Sequence, residues 1–185
     1  SDVLAVGDTA LHRLRWDGTT LSPDEGFTAT YRTVPGQTYG WDAVVAAGAA
    51  WFLDDGEGTE GYAGSLRGCG RSGAPLHLVR VDLGSGAVSL TEVSGLPGGI
   101  VANPPVVDEA RRVVVAYDSG NGVVAAFRYD DTRALAPLWR ADLDHGGHPL
   151  LDAAAGEVLL GHHDLEGEHL VVLDVETGAE RARVA

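Results

Sequence analysis

Two short stretches decide the fold, Asp82-Leu-Gly-Ser-Gly86 and Asp174-Val-Glu-Thr-Gly178. Each follows an alternating apolar run, Leu76-His-Leu-Val-Arg-Val81 in the first case and His169-Leu-Val-Val-Leu173 in the second. An Asp followed by a small hydroxyl residue bends a chain by accepting from backbone N–H groups, and the closing Gly takes the positive φ. Both stretches therefore read as hairpin turns. Looser copies of strand and turn end at Asp130, in Val124-Ala-Ala-Phe-Arg-Tyr-Asp130, and at Asp17, in Leu11-His-Arg-Leu-Arg-Trp-Asp17. The aligned aspartates are 65, 48 and 44 residues apart, and the first interval contracts to the common period once a Gly-rich insertion after Asp55 is removed. A period in the mid-forties, with about four strands per unit, is the mark of a β-propeller blade.

Period-2 alternation fills in the strands of each unit. The third unit reads as Ile100 to Val107, Val113 to Tyr117, Val123 to Tyr129 and Leu138 to Asp142. The fourth repeats it with Pro149 to Asp152, Glu157 to Gly161, His169 to Leu173 and Glu180 to Val184. The second has Asp42 to Ala46, Ala50 to Leu53, Leu76 to Val81 and Val88 to Glu92, with a long insertion from Asp54 to Pro75. The first lacks its inner strand and runs Val3 to Val6, Leu11 to Trp16 and Phe27 to Arg32. No 3.6-residue apolar stripe appears, so helix content is expected to be close to nil. The expected fold is all-β: a propeller of four-stranded antiparallel blades, three and a half to four in this chain, at approximately 1–36, 37–97, 98–143 and 144–185. The abrupt start at Ser1-Asp2 reads as a processed or trimmed piece of something longer, and the expected partners include a second copy or the remainder of a longer propeller.

Composition narrows the function. The formal charge of −14 has no basic stripe, which argues against nucleic acid and against an anionic membrane surface. Every cation is Arg; with no Lys, a Schiff-base lysine and the P-loop lysine are excluded. The lack of Lys and Met beside abundant Ala, Gly, Val and Arg resembles the usage of a GC-rich bacterial genome and leaves the compartment open between cytoplasm and export. Cys69 stands alone in Arg67-Gly-Cys-Gly-Arg71, so it forms no intrachain disulfide and reads as a small residue of a Gly-rich loop. No apolar run is long enough to cross a membrane as a helix.

The hairpins ending Asp-x-x-Thr-Gly, with the Gly-x-Pro-x-x-Asp entry to a blade, resemble the pyrroloquinoline-quinone-like (PQQ-like) repeats of quinoprotein-type eight-bladed propellers. The resemblance covers units two to four and part of unit one. It implies a Trp four residues after the turn Gly that docks one blade on the next. Leu90 and Ala182 hold that slot here, and Trp139 is placed to take a similar role from a longer loop. The departure argues against a bound quinone.

In a propeller, the loops entering the inner strands and those joining second to third strands share one face around the channel. The first set supplies Trp41, Asp42, Asn103, His145 and His148, and these are the expected ligand-binding residues. The second set supplies the acidic loop Asp54, Asp55, Glu57 and Glu60 and the run from His162 to His169. His162, His163 and Asp164 carry the donor types that zinc takes, and the acidic loop offers oxygens for calcium, although it misses the alternating EF-hand pattern and reads better as a solvated loop. No cofactor is expected beyond such a calcium or zinc ion. Trp16, Trp51 and Trp139 read as packing between blades. The sequence is thus expected to encode a non-enzymatic scaffold that recognises a protein or small-molecule ligand at the channel mouth. The alternative is a metal-assisted hydrolase or lyase of the lactonase-like propeller type using the same mouth.

Overall fold

The computed structural model describes residues 1–7, 9–31, 43–54, 75–97, 104–132, 134–144 and 146–185. They form fifteen strands in four antiparallel sheets and, among the described residues, no helix. The first sheet has three strands, β1 (Asp2–Val6), β2 (Ala10–Trp16) and β3 (Leu21–Thr30). The second has four, β4 (Val44–Ala46), β5 (Ala49–Leu53), β6 (Pro75–Asp82) and β7 (Val88–Pro97). The third runs through β8 (Val106–Asp108), β9 (Val113–Asp118), β10 (Val123–Tyr129) and β11 (Leu135–Asp142). The fourth runs through β12 (Leu150–Asp152), β13 (Glu157–Asp164), β14 (Gly167–Asp174) and β15 (Glu180–Val184). Each sheet is a simple meander, so it is a blade. We call the face of a blade that meets the next blade in sequence its forward face, and the opposite one its backward face.

The aspartate turns do the bending expected of them. Asp82 Oδ1 accepts from Ser85 N at 2.7 Å and Ser85 Oγ at 2.6 Å, and Gly86 follows at φ +72°. Asp174 Oδ1 accepts from Thr177 N at 2.8 Å and Thr177 Oγ1 at 2.9 Å, with Gly178 at φ +69°. The looser copies use the same chemistry: Asp130 takes Thr132 N and Oγ1, and Asp17 takes the N–H groups of Thr19 and Thr20. These bonds favour the ionised carboxylate. The N–H of Thr177, with further help from the Thr177 hydroxyl and Arg181, holds Asp174 down to about 2.

Three separate apolar clusters lie between successive blades, which is how a blade that is hydrophobic on both faces buries itself. Leu11, Phe27, Ala29 and Tyr31 meet Ala50, Phe52, Val79 and Val81 between the first and second blades. Trp51, Leu53 and Leu78 meet Val114, Ala116, Phe127 and Tyr129 between the second and third. Val115, Tyr117, Ala126 and Trp139 meet Val158, Leu160, Val171 and Leu173 between the third and fourth.

An aromatic ring on a forward face lies over the turn glycine of the next blade at two of these joints. Phe27 lies against the Cβ position of Gly86 at 3.8 Å, and Trp139 crowds that of Gly178 at 2.6 Å while its Nε1 donates to Val175 O at 2.9 Å. The docking role expected of Trp139 is therefore seen. At the middle joint the buried Arg80 guanidinium lies 5.1 Å from the Trp51 ring centre and 5.9 Å from that of Tyr129, and its NH1 group donates to Asp130 O at 3.4 Å.

The outer strands are longer than alternation suggests. β3 starts at Leu21 rather than Phe27 and β7 runs on to Pro97, since an outer strand pairs on one edge only and tolerates Pro and polar residues. β13 also outruns its expected end at Gly161 and continues to Asp164, opposite β14 from Gly167.

Candidate functional site

In these meanders, connections between the second and third strands and connections leaving the outer strand share one edge. Its described parts are organised by an aspartate at the end of the second strand in three blades: Asp54, Asp118 and Asp164. Asp54 and Asp118 are fully buried.

Asp54 Oδ1 accepts from His77 N at 2.7 Å, its Oδ2 lies 2.8 Å from His77 Nδ1, and its own N–H reaches His77 O at 3.1 Å. These three bonds close the base of the long insertion between β5 and β6. Asp118 Oδ2 accepts from Ser94 Oγ at 2.6 Å and from Asn121 Nδ2 at 2.8 Å, tying the end of β7 to the loop of the next blade. Asp164 Oδ1 accepts from Glu166 N at 2.7 Å and Gly167 N at 3.2 Å, and its Oδ2 lies 3.0 Å from His162 Nε2. The Glu166 N–H foremost, with His162 and His169 adding to it, draws the Asp164 carboxyl below its ordinary range against the effect of burial.

Further ties converge on the exits of the outer strands. Tyr117 Oη donates to Leu143 O at 3.0 Å and lies 3.2 Å from Asp144 O; burial, reinforced by the charges of Asp144 and Asp118, pushes this phenol up to about 12. His162 Nδ1 lies 3.3 Å from the same Asp144 O. Tyr31 Oη donates to Gly7 O.

Of the expected ligand-binding residues, Trp41, Asp42, Asn103 and His145 lie outside the described residues, as do Asp55, Glu57, Glu60 and Cys69. His148 is exposed on the connection between β11 and β12. Of the metal candidates, His162 and Asp164 touch, but His163 does not join them. All three lie in strand β13, not in a loop, and strand alternation sends adjacent side chains to opposite faces. His162 is buried beside His169, their ring centres 6.1 Å apart, and His163 is exposed on the other side. Among the described residues, no group of three or more His, Cys, Asp and Glu side chains is gathered as a metal ion requires. Asp54 is likewise engaged by His77 rather than open as a calcium ligand.

The Asp54–His77 clip is not readable from the sequence. The alternation places His77 in a strand, but its partner lies 23 residues back across the insertion, and no spacing rule joins them. The hydrogen bond to Asp54 raises the His77 pKa against the opposing effect of burial, with the Asp54 and Glu92 charges adding to the rise. A raised folded-state pKa gives stability that is complete below the ordinary histidine range and is lost as pH rises through the raised value. His77→Gln should therefore cost more stability near pH 5.5 than near pH 9, by urea unfolding at the two values; an equal cost at both would contradict the ion pair.

Compared by sequence, the chain matches no family model and no curated protein. Compared by structure, it is similar to luciferin-regenerating enzyme, with a TM-score of 0.63 and 13% identity over 99% of this chain and 58% of that one. It is similar to a chain of a nidogen/laminin complex, with a TM-score of 0.54 and 12% identity over 99% of this chain and 62% of that one. A protein from Lactobacillus plantarum aligns with a TM-score of 0.51 and 11% identity over 100% of this chain and 53% of that one. At such identities the likeness speaks for the fold alone, and the fold is a β-propeller. The chain spans between 53% and 62% of the length of these structures.

Proposed function

We propose that the chain is a non-enzymatic β-propeller scaffold, built of PQQ-like repeats, that recognises a protein or small-molecule ligand at the channel mouth. The recognising residues are Trp41, Asp42, Asn103, His145 and His148, and the blades divide at approximately 1–36, 37–97, 98–143 and 144–185. The observation that carries this reading is the use made of the aspartates on the mouth edge, two of them fully buried. Asp54, Asp118 and Asp164 are spent on fixing loop ends, through His77, through Ser94 and Asn121, and through the Glu166 and Gly167 N–H groups. Such clamps hold several loops in fixed relation to one another, and loops on a rigid scaffold make a recognition surface. The Asp-x-x-Ser/Thr-Gly turns and the Trp139–Gly178 stack support the repeat class.

A random peptide library selected on the protein tests the reading, with the Trp41→Phe and His148→Ala variants as counter-screens. Trp41→Phe should leave the fold intact and weaken the selected peptides by about 1–3 kcal/mol, a loss of roughly 5- to 150-fold. Peptides that bind both variants as well as the parent would place recognition elsewhere. A stoichiometric metal, found by elemental analysis and lost in His148→Ala, would replace the scaffold reading with a metal-assisted hydrolase.

A further inference from the structure

We propose that the opening at the foot of the third blade, on the edge opposite the mouth, binds a small organic carboxylate between Arg112 and Arg128. The inference stands apart from the mouth reading, since it uses another edge, other residues and another class of ligand.

The opening has a volume of about 350 Å³ and lies between the β8–β9 turn and the β10–β11 hairpin. Arg112, Arg128, Tyr129 and Asp130 supply its polar wall, and Leu135 and Ala136 its apolar one. That is room for a small molecule with one charged group and an apolar body.

Arg112 holds its place against the preference of its backbone. The residue just before the second strand has positive φ in three blades: +70° at Gly48, +55° at Arg112 and +69° at Gly156. The turns of the third and fourth blades are otherwise alike. Asp108 Oδ1 accepts from Arg111 N at 3.0 Å, and Asp152 Oδ1 accepts from Ala155 N at 3.0 Å. Left-handed backbone is strained for an L-residue and open to glycine, so glycine suits this place in the second and fourth blades. The third blade carries the strain instead, and strain kept in place points to a use for the side chain. The fold contacts of Arg112 do not supply that use. Its ion pair with Asp131, at 3.4 Å, joins side chains that are 55% and 90% exposed, and such pairs contribute little.

The surroundings favour an anion. Arg128 Nη2 reaches Glu176 Oε1 only at 3.5 Å. Beside the Tyr129 ring, Arg80 is 6% exposed and has no carboxylate partner among the described residues. Its Nη1 makes one long bond, 3.4 Å, to the backbone oxygen of the wall residue Asp130, and its Nε bonds to nothing. The hydroxyl of Tyr129, a residue 5% exposed, has no partner either. Buried donors are nearly always paired, and a buried cation without a counter-charge is costly. The Asp130 carboxylate does not serve, because its Oδ1 accepts from Thr132 N and Oγ1. A carboxylate seated between Arg112 and Arg128 brings negative charge close to Arg80 and gives both rim guanidinium groups the planar acceptor they fit. Leu135 and Ala136 then cover the apolar body.

Amide chemical-shift titrations with benzoate, 3-phenylpropionate and hexanoate, each beside its neutral amide, read the outcome. Saturable shifts are expected at Arg112, from Arg128 to Asp130 and at Leu135 and Ala136 with at least one carboxylate. Its amide should bind roughly 10-fold more weakly, the worth of a charge-assisted hydrogen bond. Arg112→Gly installs the residue that the sister turns carry. It should keep or raise the Tm of the free chain, yet weaken the same carboxylate by roughly 10-fold. No saturable shift at this edge with any of the three carboxylates would overturn the proposal, as would equal binding of carboxylate and amide. An Arg112→Gly variant that binds as the parent does would overturn it too. So would one whose Tm falls, because the arginine would then serve the fold.

Discussion

Trp51→Ala is expected to lower stability by about 3–5 kcal/mol, the range for deleting a large buried aromatic from a core. For a chain of this size that corresponds to a fall in Tm of roughly 6–20 °C. Trp51 is completely buried, and it holds the joint between the second and third blades by three means. Its ring lies 5.2 Å from that of Tyr129, the Arg80 guanidinium stacks over it, and its Nε1 donates to Ala46 O at 3.0 Å. That last bond braces a two-residue turn, Ala47-Gly48, with both residues at positive φ. The truncation thus leaves a cavity, an unstacked buried cation and a loosened turn in one place. Thermal unfolding followed by circular dichroism checks it. A loss below 1 kcal/mol would mean that the second and third blades do not meet at Trp51.

The second large effect is expected from adding one methyl group. In Gly178→Ala the new Cβ would sit 2.6 Å from Cδ2 and 2.7 Å from Cε3 of Trp139, at a backbone φ of +69°. Left-handed backbone costs an L-residue about 1–2 kcal/mol, and forcing an atom into a packed contact typically adds about 1–3 kcal/mol, so a loss of about 2–5 kcal/mol is expected. Gly48→Ala separates the two contributions, since Gly48 has φ +70° and a Cβ there meets nothing within 4 Å. It should show the backbone cost alone. In a Trp139→Leu background, the cost of Gly178→Ala should shrink towards the Gly48→Ala value. If the penalty is unchanged in that background, the ring is not what fills the space.

How far these features were legible in the sequence depends on how local they are. The turns were, because an Asp, a hydroxyl residue and a Gly fix their own geometry within five residues, as Asp174 and Thr177 do. The strand ends were less so: β3 passes through Ser22-Pro-Asp-Glu25, which carries no alternation, because one of its edges is left unpaired. Alternation read past Gly161 would have placed His162 and His163 on opposite faces, and with them the limits of a metal site there. The role of Trp139 was legible through its distance from the expected docking position. The clamps were not. Asp54 and His77 are far apart in the chain, and Ser94 and Asp118 come from different blades, so only the packed fold brings each pair together. Among the proposed mouth residues, His148 alone falls within the described part of the chain.

The central claim is that recognition belongs to the edge where Asp54, Asp118 and Asp164 fix the loops. The most direct test is an amide chemical-shift map of the chain on titration with a selected peptide. The shifts should concentrate on the connection from Leu143 to Pro149, on the loop after Asp118 and on the neighbourhood of Trp41 and Asn103. Shifts gathered instead on the opposite edge, at the turns of Asp82, Asp130 and Asp174, would contradict it.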